Sequence, residues 1–490
     1  MGLQAISSDQ KEGTDMKIKI RDRILNMNLM DKEPHDPETV RTVARMKRLV
    51  EKWNLDADFR KACESDLEKT LAKIDPDVDP EAFRLLINKA AAEKLVEDLK
   101  AGKISEEDIP ESYVIYKASV REKILHREKL RQTYCVPDEP HFRAWRERQQ
   151  KRCYMEMGPS AQRMVQAALM FELTLGCSVG CPFCGVASQG LRGIFRYTEE
   201  NAALWRETLR RMHALIGDAA GRGTCYYSCE GLDNPDYEKF LSDYYSEFGV
   251  VPQTTTAAAT RDIERTRALL RFADENDPHI DRFSVISAEM RDTIFEAFTP
   301  EELVNVELLP QFPEAPGNCF AKVGRNRDKD DEDAVGGTIA CASGFIVNMQ
   351  EKSLRLMTPF VSDRDHPTGE WILEKCAFRS AEDLEKQMRR MIETYMPLEL
   401  DFEKRVGASC DFSLEETDGN VRVGAHGVRV DMLHAPMAQA GLDTVVTALK
   451  ARRYTGDEIL ELLPEDMNPA QSILLLKQLW DHGLIDQVTE

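Results

Sequence analysis

The chain has 490 residues, 42% of them hydrophobic, and a formal net charge of −21. That is length for several structural units and apolar content for a sizeable core. The acidic balance argues against nucleic acid or an anionic membrane surface as partner, because phosphate neutralisation needs a basic face. No apolar run of about 18 residues occurs, so no membrane-spanning helix is expected. The first residues lack the apolar core of a secretory signal. Twelve mostly scattered cysteines in such a chain favour reduced thiols and metal ligation over disulfides, and a cytoplasmic location.

Residues 1–165 are rich in charge and helical in spacing. In "ETVRTVARMKRLVEKWNLDADFRKACESDLEKTLAKI" apolar residues recur every three or four positions. "DPDVDPEAF" then reads as a turn and a helix start, and "REKILHREKLRQTY" and "FRAWRERQQKRCY" extend the helical character. From about residue 166 short β-prone runs alternate with amphipathic helices. The runs are 170–175, 224–230, 250–258, 281–287 and 303–310. Such alternation predicts βαβ units with a parallel sheet, an α/β fold suited to a barrel or part of one. Residues 317–337 form a polar, charged loop. "TIACASGFIVNM" and "SLRLMTPF" then predict an antiparallel hairpin across "QEK", and a further strand pair is expected at 409–432 around "TDGN". From Gly441 three short helices are expected, the second capped by Thr455 with Glu458 in a capping box. The expected division is a helical region at 1–165, a barrel with its hairpin at 166–400, a β-rich connection at 401–440 and a small terminal module at 441–490.

One stretch carries chemistry. "LTLGCSVGCPFCGVAS" places Cys177, Cys181 and Cys184 in a C-x3-C-x2-C spacing directly after an apolar run. A structural zinc site takes four Cys or His ligands, commonly in two pairs. Four cysteines fill a [4Fe–4S] cube, so three leave one iron open for chemistry. Gly176, Gly180 and Gly185 let a loop wrap closely round a bulky group.

This stretch resembles the signature of radical S-adenosylmethionine (SAM) enzymes. The spacing, the preceding strand, Phe183 before the third cysteine and the βα pattern over about residues 168–310 all agree with that family. The resemblance implies a partial (β/α)6 TIM-like barrel and a [4Fe–4S] cluster on Cys177, Cys181 and Cys184. It also implies that the open iron chelates SAM, whose reductive cleavage gives a 5′-deoxyadenosyl radical. "CYYSCEGLDNPDYEKF" stands where the family has a Gly-Gly-Glu-Pro-like motif, so Ser228, Cys229 and Glu230 are expected near the SAM amino group. Thr255 and Ser284 (or Ser287) are candidate contacts to SAM on later strands, with Phe183 beside it. An external reductant such as flavodoxin or ferredoxin is implied.

The helical N-terminal region lacks the strand–glycine pattern of a cobalamin-binding unit. Cys319, Cys341, Cys376 and Cys410 are too far apart in sequence to suggest a second cluster. The block from Gly337, "GTIACASGFIVNMQEKSLRLMTPFVSDRDHPTGEWI", is similar to segments of radical SAM enzymes that modify ribosomal peptides. The chain as a whole resembles proteusin-type (polytheonamide-type) peptide epimerases. That likeness implies conversion of L- to D-residues by Cα hydrogen abstraction. Hydrogen must then return from the opposite face. A non-ligand cysteine thiol suits this step, with Cys341 the first candidate and Cys376 and Cys319 as alternatives. The terminal module resembles small winged-helix-like units that bind precursor leader peptides, so the expected partner is a ribosomal precursor peptide with leader and core. Thioether or carbon–carbon crosslinking is the alternative reaction, and a non-catalytic iron–sulfur or zinc protein the alternative class.

Overall fold

The protein is described here from a computed structural model, covering residues 29–30, 35–318, 322–327, 337–465 and 467–488. The described chain is mixed α/β. Among the described residues, seven α-helices come first: α1 (Pro37–Leu55), α2 (Ala57–Ser65), α3 (Leu67–Ile74), α4 (Pro80–Ile87), α5 (Lys89–Lys100), α6 (Glu111–Lys129) and α7 (Pro140–Met157). Then follow β1 (Ala167–Glu172), β2 (Thr174–Leu175), β3 (Gly193–Ile194), α8 (Glu199–Ile216), α9 (Tyr237–Phe248), β4 (Thr255–Thr256), α10 (Ile263–Asn276), β5 (Asp281–Val285), α11 (Ala288–Ala297) and β6 (Val306–Pro310). The remainder runs β7 (Ala342–Asn348), β8 (Ser353–Pro359), β9 (Glu370–Ala377), α12 (Ala381–Tyr395), β10 (Val406–Ala408), β11 (Ser413–Thr417), β12 (Asn420–Ala425), β13 (Val428–Leu433), α13 (Gln439–Ala451), α14 (Gly456–Glu461), α15 (Pro469–Asp481) and β14 (Ile485–Gln487).

Local chemistry sets the first helices. Asp36, Asp56, Asp66 and Asp79 each accept backbone N–H groups at a helix start, and Asn88 does the same for α5. Each such cap contributes about 1 kcal/mol and divides the apolar periodicity into short helices.

The contacts divide the chain into two compact units, each built from two separate stretches. The first unit comprises the described residues of Met1–His126 and Gln253–Phe320. Its sheet is parallel, in the order β4–β5–β6, with Thr255 beside Arg282 and Ser284 beside Leu309. Phe283, Val285 and Leu308 enter a core with Ile294 and Phe298. The strand expected over 250–258 shrinks to Thr255–Thr256.

The second unit comprises Arg127–Pro252 and the described residues of Ala321–Glu490. Its main sheet has the order β1–β7–β8–β9, parallel at β1–β7 and antiparallel beyond. The β7–β8 hairpin forms as expected. Side chains alternate across a strand, so Phe171, Phe345, Leu354 and Leu356 share one face. Phe142 of α7 meets Phe345 with ring centroids 5.3 Å apart, and Trp205 of α8 meets Phe171 at 4.8 Å. Met170, Glu172, Ile346, Asn348, Arg355 and Met357 occupy the other face.

Two expectations need correction. Residues 224–230 are not a strand. They lie irregularly beside β1, where Phe171 N donates to Thr224 O at 2.8 Å. The strand pair expected at 409–432 is a three-stranded meander, β11–β12–β13. The three terminal helices are present, and the Thr455–Glu458 capping box is formed. A strand missed in the sequence, β14, closes the module against β10. Among the described residues the strands form five separate sheets and no closed barrel.

Candidate functional site

β1 is six buried residues, "AALMFE", and the cysteine loop opens shortly after its end. The short β2–β3 pair forms the loop's neck. Gly176 turns the chain there at φ +85°, and a Cβ on it would fall 2.3 Å from Gly190 O, so only glycine fits the close crossing. Cys177 N donates to Gln189 O at 2.9 Å and completes the neck.

All three thiols of the loop are half-buried, as is Phe183. Cys181 donates a hydrogen bond to Cys184, which lowers the Cys184 thiol and raises that of Cys181. Ser188 N, 3.3 Å from Cys184 Sγ, and the Val186 amide further favour the Cys184 thiolate. Burial raises Cys177, against amide bonds from Val179 and Gly180. Amides turned onto sulfur, a glycine-lined turn and a donor set of thiols alone fit a soft, anionic iron–sulfur group. Among the described residues no three His, Cys, Asp or Glu side chains are gathered closely enough to hold a metal ion as they stand. The fit therefore lies in donor chemistry rather than in a closed cage.

The segment 228–234 borders this loop. Ser178 N and Oγ both donate to Asp233, the former at 2.7 Å, and Ser188 Oγ donates to Ser228 O at 2.5 Å. Glu230 is 3% exposed, and its carboxylate accepts Leu232 N at 3.1 Å while acting electrostatically on Cys177. Cys229 bonds to Thr174, and burial pushes its thiol up to about 12.

What holds Ser228 was missed in the sequence. Glu172, at the end of β1, accepts Ser228 N at 2.9 Å, the Ser228 hydroxyl, Arg355 Nη2 at 2.8 Å and Asn348 Nδ2 at 3.0 Å. The Arg355 guanidinium lies 5.4 Å from the Tyr227 ring centroid, and Tyr227 OH donates to Glu370 at 2.7 Å. A lone acid in "AALMFELTL" and a lone base in "SLRLMTPF" were the available signals, since an unpaired buried charge is costly.

Cys341 precedes β7 by one residue rather than lying on it, and its carbonyl accepts Ala167 N at 2.9 Å. Its half-buried side chain packs on the same apolar cluster as Tyr227, with Met170, Ile346 and Met357. Cys376 pairs with Leu354, on the sheet face opposite Arg355, so the structure separates it from this group. Cys319 and most of the charged 317–337 loop lie outside the described residues. Thr255 and Ser284 belong to the first unit and share the half-buried face of its sheet. Ser287 caps α11 through Met290 N at 3.2 Å. No helix among the described residues is long and apolar enough to cross a membrane.

No family model matches the chain, and no solved structure matches it. A curated protein named "Uncharacterized protein y4wI", from Sinorhizobium fredii, is 34% identical over 376 residues, which cover 74% of this chain and 72% of that protein. The chain therefore belongs to the same family as that uncharacterized protein.

Proposed function

We propose that this protein is a radical SAM enzyme that epimerises residues of a ribosomally made precursor peptide. The observation that carries the reading is the C-x3-C-x2-C loop at the end of a buried parallel strand, with backbone amides turned onto its sulfurs. On this reading Cys177, Cys181 and Cys184 hold a [4Fe–4S] cluster, and Ser228, Cys229, Glu230 and Phe183 border SAM. The parallel strands are then staves of a partial (β/α)6 barrel, and the terminal module is winged-helix-like and receives the leader.

When bound, the cluster and SAM supply a carbon radical able to take hydrogen from a peptide Cα. The protein's share is positioning and return of hydrogen. The buried Glu230 carboxylate suits an ammonium through a charge-assisted bond. Glu172 fixes the Ser228 backbone, so the segment leading to Glu230 is set before SAM arrives. Cys341 transfers a hydrogen atom from Sγ to the planar Cα radical on the face opposite abstraction. One electron and one proton, from a reductant of flavodoxin or ferredoxin type and from solvent, then restore its thiol.

The test is anaerobic reconstitution with SAM, reductant and a candidate precursor peptide in D2O, followed by chiral amino-acid analysis with mass detection. New D-residues carrying deuterium at Cα, absent in Cys341→Ala, are expected. Deoxyadenosine with a peptide two hydrogens lighter and no D-residues would replace epimerisation by crosslinking.

A further inference from the structure

The cysteine loop is held by bonds within it and by bonds from outside it. Within it, Cys184 N donates to Cys181 O at 3.2 Å and Ala187 N to Cys184 O at 3.1 Å. Three of the outside bonds come from one residue more than a hundred positions away. Arg325 Nη1 donates to Cys181 O at 2.9 Å, Arg325 Nη2 donates to Ser188 O, and Arg325 N donates to Cys184 O at 3.0 Å. A single residue thus holds three carbonyls that span the second and third cysteines. The preceding Gly324 has φ +58°, and a Cβ there would lie 2.2 Å from Gly185 O, so the strap sits directly on the loop. The strap is itself anchored. Gly324 N donates to Pro367 O at 2.8 Å, Arg327 donates to Asp363 O, and Val323 is fully buried.

We propose that Arg325 is a positioning residue that clamps the cysteine loop, fixing its backbone across the second and third cysteines before any metal arrives. The proposal deepens the cluster reading given above, although the clamp itself is defined without metal. One feature makes arginine the fitting residue. Its planar fork bridges two carbonyls at once, which a lysine ammonium does not do with fixed geometry. Because the loop is glycine-rich, ordering it during metal uptake would cost conformational entropy, and the clamp meets that cost during folding.

The experiment titrates metal-free, full-length protein anaerobically with Cd2+, following thiolate-to-cadmium charge-transfer absorption against a competing chelator. Wild type, Arg325→Ala and Arg325→Lys are compared. Arg325 is exposed, so its removal opens no core cavity, and unchanged far-ultraviolet dichroism and urea midpoint are expected for both variants. Both should bind Cd2+ about tenfold or more weakly, as loss of an outer-shell partner typically does. Arg325→Ala binding as tightly as wild type would overturn the clamp. Arg325→Lys binding as tightly would overturn the two-carbonyl fork. A wild type that binds no Cd2+ through these thiols would overturn it too. If wild type binds Cd2+ and both variants weaken, yet no iron–sulfur cluster assembles in any of them, the clamp stands and the radical SAM reading falls.

Discussion

In the parallel sheet of the first unit, β5 and β6 alternate buried with half-buried residues, whereas in the mixed sheet of the second unit β1 and β7 are buried at every position. A polar residue costs little in the first setting. Thr255, Arg282, Ser284 and Glu307 stand on the half-buried face, where water reaches them. In the second setting a polar residue must be fully paired or it destabilises the fold. Glu172 is 2% exposed and Asn348 6%, and both are satisfied by Ser228, Arg355 and the Thr174 carbonyl. The polar cluster is concentrated where burial makes it expensive, next to the segment that borders the cysteine loop. The same contrast separates the cysteines. Cys135, Cys153 and Cys225 are sealed in the core and raised by burial, whereas the loop thiols are reachable and divided in acidity.

The largest effect that would break this contrast is loss of the loop thiols. Replacing Cys177, Cys181 and Cys184 together by Ala should abolish iron uptake and SAM cleavage while leaving the urea unfolding curve in place, because these thiols are not core. Retained SAM cleavage would refute their role. Next in size, Glu172→Ala removes the acceptor of a buried arginine and should destabilise the second unit by about 3–5 kcal/mol, read from urea unfolding followed by hydrogen exchange of β1 and β7. A change under about 1 kcal/mol would show that water replaces the carboxylate.

The first unit should respond to pH instead. Burial alone would lower His279, but Asp281, 3.0 Å from Nε2, and the Asp277 carbonyl outweigh it and raise the imidazole to about 9. A folded value above the free one means that the folded state binds the proton more tightly. This stabilisation is full below pH about 6.5 and lost as pH rises through about 9, amounting to at most about 3 kcal/mol. His279→Gln should flatten the decline in α10–β5 stability between those values. The smallest effect belongs to the terminal module. Thr455→Ala breaks the capping box and should cost about 1 kcal/mol, with exchange rising in α14 first.

Much of this was legible where the signal is local. The capped N-terminal helices, β5, β6, the β7–β8 hairpin and the Thr455 cap all announce themselves within short stretches of chain. The cysteine loop does as well. The Glu172–Asn348–Arg355 cluster was not legible, because its members lie on three strands whose register a single sequence does not reveal. Residues 224–230 were misread because aromatic and Cys-rich composition suits a strand, yet they lie irregularly beside β1. Arg325 was hidden for a different reason. It sits in "GRNRDKDDED", where a base bonded to three carbonyls looks the same as any solvated charge.

The central claim is that the three-thiol loop holds a [4Fe–4S] cluster with one iron open to SAM. Its most direct test is electron paramagnetic resonance of the anaerobically reconstituted, reduced protein, with iron and sulfide counted and SAM then added. About four irons and four sulfides per chain are predicted, with a spectrum that shifts on adding SAM. A folded protein that holds no cluster, or one whose spectrum ignores SAM, would contradict it.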